Sequence, residues 1–338
     1  MTRIVYLSEF KEVQSDAALA HFLSNACQHA PFDRLAWWEG LAEHCSMTPL
    51  LAFAGDEGGM AVLPLASGSG HLTALANWYT FRVRPLMSGP HPPLRALARA
   101  LRRRAHRITL VNVPDEDGSA TATQEAFRQA GWLVRREVCG INHILPVNGR
   151  SYGDYLATRP GNLRTTLKRK SGRVRAEVLT RFDERAWTEY EAVYAQSWKP
   201  HEGSPEFLRA FAKAEGAAGR LRLGIARNAL DPQGRAIAAQ MWTVEGGTAF
   251  IHKLAHRETA RALSPGSVLS AAMIAHALDR DRVSLVDFGT GDDAYKRDWM
   301  EQQRPRYSLD MLQPLSPRNW PVLAKWALRS LAAGTNRG

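Results

Sequence analysis

Thr248-Ala-Phe-Ile-His-Lys-Leu-Ala-His256, Arg261-Ala-Leu-Ser-Pro-Gly-Ser267 and Val283-Ser-Leu-Val-Asp-Phe-Gly-Thr-Gly-Asp-Asp293 follow one another late in the chain, and their reading decides the fold. The first is an apolar run that starts after Gly246-Gly247, which predicts a strand. The second delivers small residues to the start of an apolar helix predicted over 268–279. Such a loop leaves backbone N–H groups pointing outward at the positive end of a helix dipole, an arrangement that suits a phosphate. A side chain at Gly266 would hold the backbone away from such an anion. The third stretch predicts a strand over 283–288 that carries Asp287 to its C-terminal edge, where acids and bases collect in open α/β sheets.

Arg261-x-x-Ser264-Pro265-Gly266, between a strand and a helix, resembles the Arg/Gln-x-x-Gly-x-Gly/Ala pyrophosphate loop of the GNAT-type N-acetyltransferases. The wider pattern is more specific. Ile251 to Ala255, Ser264-Pro265-Gly266, and Val286-Asp287-Phe288-Gly289 through Asp292-Asp293-x-Tyr295-Lys296-x-x-Trp299 together resemble the acetyltransferases of bacterial cellulose and exopolysaccharide biosynthesis, relatives of the FemAB-type transferases. The resemblance implies an α/β (α+β) fold of two tandem GNAT-like (acyl-CoA N-acyltransferase) lobes, mixed sheets flanked by helices. It also implies acyl-CoA, or an acyl carrier protein, as the acyl donor. Arg261, Ser264, Gly266 and Ser267 would meet its phosphates, and the strand through Ala255 would pair with its amide arm. Ser264 departs from the pattern, since it stands where the loop would have its first glycine.

Composition narrows the class without choosing the chemistry. The 338 residues, 45% of them hydrophobic, suffice for two domains, and an excess of 44 Lys and Arg over 33 Asp and Glu gives a net charge of +11. Acidic partners follow from that balance: CoA phosphates, anionic lipid, anionic polymer or RNA. Cys27, Cys45 and Cys139 are too few and too scattered for a disulfide framework or a zinc site, so a reducing cytoplasm is the expected compartment. No apolar run has the length of a membrane span or a signal peptide, and no metal site is expected.

Two halves share an order of helices, a strand hairpin, a third strand, a helix and a further strand, which suggests a duplicated unit. The expected division is 1–148 for an N-terminal lobe, 149–313 for a C-terminal lobe with the acyl-CoA site, and 314–338 for a basic amphipathic tail. At the junction that corresponds to Ser264-Pro-Gly-Ser267, the first half has Met87-Ser-Gly-Pro-His-Pro-Pro93, whose prolines offer fewer N–H groups to a phosphate. The second half is therefore the catalytic candidate. In the first half Asp33 reads as a helix N-cap, and Trp78 and Tyr79, next to Arg82 and Arg84, read either as floor of an acceptor pocket or as core. The helix expected after Asn162 carries Arg164, Lys168, Arg169 and Lys170, either a polyanion site or a solvated face. The tail has apolar residues at helical spacing from Trp320 with Arg318, Lys325 and Arg329 nearby, and could lie on an anionic membrane or dock on its own domain.

Acyl transfer to an amine needs a held thioester, a neutral amine and a stabilised oxyanion. Asp287 is the first candidate for proton removal, though a carboxylate there can equally cap structure; Asp292 and Asp293 are the second, though Asp in a glycine-rich loop commonly forms the turn. Lys253 lies within an apolar strand and needs a partner, for which Asp287 is available; alternation places His252 on the opposite face. Tyr295 and Lys296 are candidates for substrate contact. The expected activity is N-acyl transfer from acyl-CoA to an amine on a small-molecule sugar or lipid acceptor, in the cytoplasm with peripheral membrane contact through the tail. Aminoacyl transfer from charged tRNA and a non-catalytic scaffold in a polysaccharide-synthesis complex are the rival readings.

Overall fold

The computed structural model describes residues 1–231 and 234–335. In order, the strands are β1 (Arg3–Leu7), β2 (Pro49–Asp56), β3 (Gly59–Ala66), β4 (His71–Ala74), β5 (Leu86–Ser88), β6 (Arg107–Val113), β7 (Leu133–Pro146), β8 (Val174–Leu179), β9 (Leu221–Asn228), β10 (Ala238–Glu245), β11 (Thr248–His256), β12 (Leu285–Thr290) and β13 (Gln302–Leu312). The helices are α1 (Phe10–Ser15), α2 (Ala17–Phe22), α3 (Leu35–His44), α4 (Leu94–Leu101), α5 (Ser119–Gln129), α6 (Tyr152–Ala157), α7 (Gly161–Lys170), α8 (Glu184–Ala195), α9 (Pro205–Ala217), α10 (Pro265–Ala275), α11 (Ala294–Trp299) and α12 (Trp320–Thr335).

Two compact units divide the chain: Met1–Gly140 with Pro305–Gly338, and Ile141–Arg304. The sequence reading drew its line at 148/149 and gave the last strand to the second lobe. Packing draws it differently, because Leu309 and Met311 of β13 sit in the first unit's core with Leu63, Ile108 and Phe127, and β13 pairs antiparallel with β6.

Each unit repeats one ladder. In the first, β1, β2, β3 and β4 run antiparallel in turn, β4 pairs parallel with β6, and β13 closes on β6 antiparallel. In the second, β8, β9, β10 and β11 run antiparallel, β11 pairs parallel with β12, and β7 closes on β12 antiparallel. A parallel pair needs a crossover, and α10 supplies it between β11 and β12. Its buried face, Leu269, Met273 and Ile274, packs in one cluster with Ala226, Trp242 and Val286. Gly224 of β9 is part of that fit, since a Cβ there would stand 2.6 Å from the Met273 sulfur.

Several local expectations are corrected. Asp33 does not cap α3: it is buried and takes Arg82 at 2.6 Å and Arg84 at 2.9 Å, while Arg34 occupies the cap position. Asn162 lies inside α7, which starts at Gly161 after Pro160. The run His71 to Trp78 alternates as a third strand would, but β4 stops at Ala74, so Trp78 falls in the following loop with Tyr79. The helix expected to reach residue 279 ends at Ala275 and continues as a wider π turn, His276–Arg280. For the expected tail helix, the side chains of Arg329 and Leu331 lie outside the described residues.

Candidate functional site

Where β11 and β12 meet, their parallel pairing covers only Thr248–Leu285, Ala249–Val286 and Phe250–Asp287. Beyond Phe250, β11 runs on to His256 while β12 runs to Thr290 without further register between them. The two strands part, and the backbone of β11 from residue 251 onward has no ladder partner from β12.

A bulge sharpens this. Met241 pairs with Lys253 and Trp242 with Ile251, so His252 is the extra residue on β11. Simple alternation therefore fails at this point. His252 stands 5.2 Å from the Phe211 ring of α9, and Lys253 stands 5.2 Å from the Tyr194 ring of α8, so both turn toward the α8–α9 layer. Lys253 Nζ donates to Glu202 Oε1 at 2.9 Å, so its partner is Glu202 where the sequence suggested Asp287. Burial, opposed by Glu202, holds the Lys253 ammonium below its usual pKa.

Asp287 is itself buried, with Oδ1 accepting the Gly289 N–H at 2.8 Å. Gly289 has φ of 68°, a conformation glycine takes freely, and the turn that follows brings Lys296 of α11 inward. Lys296 is 5% exposed and its Nζ donates to the Thr290 carbonyl at 2.6 Å and lies 3.9 Å from Asp293. Burial pulls its pKa down to about 8; Asp293, Asp287 and Asp292 oppose the shift, and Lys199 adds to it. Lys199 also depresses Lys253. Lys199 therefore acts on both lysines, and Asp287 acts on Lys296.

The remaining expected residues divide by environment. Asp292 accepts from Arg297 at 2.6 Å and from His143 at 3.1 Å; the Arg297 hydrogen bond holds its pKa below the usual carboxylate range, which makes it a poor base and a good anchor for its loop. Asp293 occupies the N-cap position of α11 and is largely exposed. Tyr295 packs edge-on against Phe288 at 5.7 Å, and burial raises its pKa. Trp78 and Tyr79 belong to the first unit, where Tyr79 is buried and Trp78 is 64% exposed.

At the far end of β11, Arg261 is exposed in a 3-10 turn (Glu258–Leu263), Ala255 is buried, and Ser264 leads into α10 with φ of 50°. A left-handed residue at this position is the one a glycine would fill without strain. Gly266 and Ser267 form the first turn of α10 after Pro265, and a Cβ on Gly266 would stand 3.2 Å from His256 Nδ1. Lys170, the last residue of α7, donates to the Ala262 carbonyl at 2.9 Å, which fixes the basic helix against this turn. A phosphate-bearing donor fits the arrangement: a helix N-terminus, a glycine in close quarters, and exposed Arg164, Lys168 and Arg169 on the adjoining helix.

Two features lay outside the sequence reading. A cavity of about 440 Å³ opens between α8, α9 and the segment joining them, walled by Trp187, Tyr190, Tyr194, Lys199, His201 and Glu202. Its aromatic wall is continuous, with Trp187 and Tyr190 rings 4.7 Å apart and Tyr190 and Tyr194 rings 6.2 Å apart. The amphipathic spacing of α8 signals burial of these rings, but nothing in Lys199-Pro-His-Glu202 marks it as cavity wall. The second is Asn142 of β7, opposite Thr290, fully buried with neither amide atom hydrogen-bonded. Among the described residues, no group of three or more His, Cys, Asp or Glu side chains could hold a metal ion.

Residues 157–297 match the family model described as an acetyltransferase (GNAT) domain. The second unit has the GNAT fold. Solved structures agree on the architecture across nearly the whole chain. FemX superposes with a TM-score of 0.59 at 11% identity over 83% of this chain and 92% of its own. The C-terminal domain (DUF2156) of a putative lysylphosphatidylglycerol synthetase from Agrobacterium fabrum gives 0.57 at 13% identity over 89% and 92%. A tandem GNAT protein from the clavulanic acid biosynthesis pathway gives 0.52 at 13% over 94% and 100%. At such identities the likeness is one of fold, and the tandem GNAT architecture accounts for the two repeated ladders. No curated protein sequence matches the chain.

Proposed function

We propose that the second unit is an N-acyltransferase that moves an acyl group from acyl-CoA, or an acyl carrier protein, to an amine. The observation that carries the reading is the parting of β11 and β12 after Phe250 and Asp287, with Lys296 and Asp287 at the fork and the α10 N-terminus at the open end. Bound acyl-CoA would supply an activated thioester carbonyl. The edge of β11 that β12 leaves beyond Phe250 would take its amide arm, and Arg261, Ser264, Gly266 and Ser267 its pyrophosphate.

Asp287 then accepts the proton that the attacking amine loses. Lys296 gives one N–H to Thr290 and has two more to offer to the oxygen on which negative charge collects. Lys253 is held by Glu202, a residue of the cavity wall. The cavity suits an amine acceptor, because aromatic faces and carboxylates attract an ammonium group. A sugar or lipid amine in exopolysaccharide or cell-envelope synthesis is the acceptor favoured by the motif resemblance.

Transfer from a charged tRNA is the second reading, favoured by the exposed cations of α7 next to the Ala262 turn. The decisive experiment measures release of the CoA thiol from acyl-CoA with a panel of amino sugars and amine lipids. Acceptor-dependent release that falls at least about 100-fold in Asp287→Asn or Lys296→Met supports acyl transfer. No release with any acceptor, together with salt-sensitive binding of charged tRNA, supports the second reading.

A further inference from the structure

We propose that the first unit docks on an anionic lipid surface through the outer face of α12 and the arginine-lined concavity that its leading segment helps to build. The two parts rest on different observations. Trp320, Ala324 and Leu328 recur every four residues on α12 and all three are exposed, so they form one apolar stripe turned to solvent. Leu315, just before the helix, is 82% exposed. The opposite side of α12 is accounted for, because Val322, Leu323 and Trp326 are partly buried and Arg135 of the same unit lies 5.7 Å from the Trp326 ring. The helix is therefore docked by one face, and the other presents Trp320, Ala324 and Leu328, with exposed Leu315 just ahead of the helix.

The concavity supplies the charge. Arg102, Arg103, Arg104, His106, Ser316 and Arg318 line a shallow hollow of about 470 Å³, and none of its lining residues is acidic. Asn319 and Gln313 hold its frame: Asn319 Nδ2 donates to the His106 carbonyl at 2.7 Å, and Gln313 Nε2 donates to the carbonyls of Arg102 and Ala105. Asp310, the nearby carboxylate on β13, is occupied by Arg107 at 2.8 Å. Arg104 stacks over the Tyr6 ring and Arg102 donates to the Ala130 carbonyl, but among the described residues no carboxylate lines the hollow, and Ser316, Pro317 and Arg318 join it in sequence to Leu315 on one side and Trp320 on the other. Apolar side chains that enter an interface, set beside arginines that meet phosphate, are the chemistry of peripheral binding to acidic bilayers. No helix among the described residues is long and apolar enough to cross a membrane, so the contact is with the surface.

The test is co-sedimentation of the full chain with vesicles of phosphatidylcholine alone and of phosphatidylcholine mixed with phosphatidylglycerol, at low and high salt. The proposal expects binding to the mixed vesicles only, weakened by salt and lowered roughly five-fold for each of Arg103→Ala, Arg104→Ala and Arg318→Ala. It expects a further loss in Trp320→Asp and Leu328→Asp, which sit outside the folded contacts and should leave the melting transition in place. Absence of binding to mixed vesicles overturns it. So does binding that the arginine variants weaken and the α12 variants leave intact, which would mark a general polyanion site, with RNA competing at equal charge.

Discussion

Lys253 Nζ meets Glu202 Oε1 at 2.9 Å, across a β-bulge that turns Lys253 out of simple alternation. The pair is shielded on both sides, with side chains 15% and 14% exposed. Removing one member leaves the other poorly solvated, so Lys253→Met is expected to cost ~2–3 kcal/mol of stability and Glu202→Gln less. The double variant should cost less than the sum, which denaturant unfolding of the four proteins reads directly.

Lys296 makes stability depend on alkaline pH. Its pKa is 10.5 in the unfolded reference and about 8 when folded. Between those values the unfolded chain holds the extra proton, so the penalty for burying the charged ammonium is fully present below about 8 and fades as pH rises toward the unfolded value. Stability should rise across that window by roughly 3 kcal/mol relative to Lys296→Met, whose profile lacks this rise. The same titration sets the rate: with Lys296 acting as a cation, turnover falls as pH climbs through about 8, and equal turnover on both sides of that pH would remove Lys296 from the proposed role.

Asp33 provides an acidic counterpart in the first unit. Burial opposes its charge, but Arg82 and Arg84 overcome burial and hold the pKa below the usual value. A depressed carboxylate contributes stability above its unfolded pKa and loses it as pH falls through the folded one. Asp33→Asn is therefore expected to lower stability at neutral pH by ~2–4 kcal/mol and to flatten the acid limb of unfolding measured by circular dichroism.

Ser264 keeps a left-handed backbone at the entrance to α10. Ser264→Gly relieves that strain at the expense of greater freedom in the unfolded chain, so it should change stability by at most about 1 kcal/mol, toward higher stability. A loss of stability in thermal melts would show that the serine side chain contributes something that the backbone conformation does not reveal.

How much of this could be read beforehand depended on how local each signal was. The order strand, small-residue loop, helix, strand around 248–293 was legible because apolar runs, Ser264-Pro-Gly and the Gly/Asp loop are each recorded in consecutive residues. Tyr295 and Lys296 stood out in sequence as candidates for substrate contact, but the burial of Lys296 against the Thr290 carbonyl depends on the turn at Gly289 and was not legible. The Lys253 partner was not legible, since Glu202 sits in a segment with no periodicity and the bulge that aims Lys253 at it arises from pairing between two strands. Asp33 was misread for the same reason: a carboxylate before a helix has the form of a cap, and only the packing of a distant loop supplies Arg82 and Arg84. The last strand was assigned to the wrong neighbourhood because strand pairing over two hundred residues of separation leaves no trace in local pattern. The aromatic cavity was half visible, as a buried face of α8 whose missing cover is the open space itself.

Acyl-CoA is proposed to bind at the fork of β11 and β12 with the α10 N-terminus. Thermal melting of the purified protein with CoA and with short- and long-chain acyl-CoA tests it most directly, because a ligand at ~100 times its dissociation constant adds ~2.7 kcal/mol to stability. A clear upward shift with an acyl-CoA, lost in Gly266→Asp while the unliganded melt is retained, is the expected outcome. An unshifted melt with every CoA species, from protein shown to be folded, would contradict it.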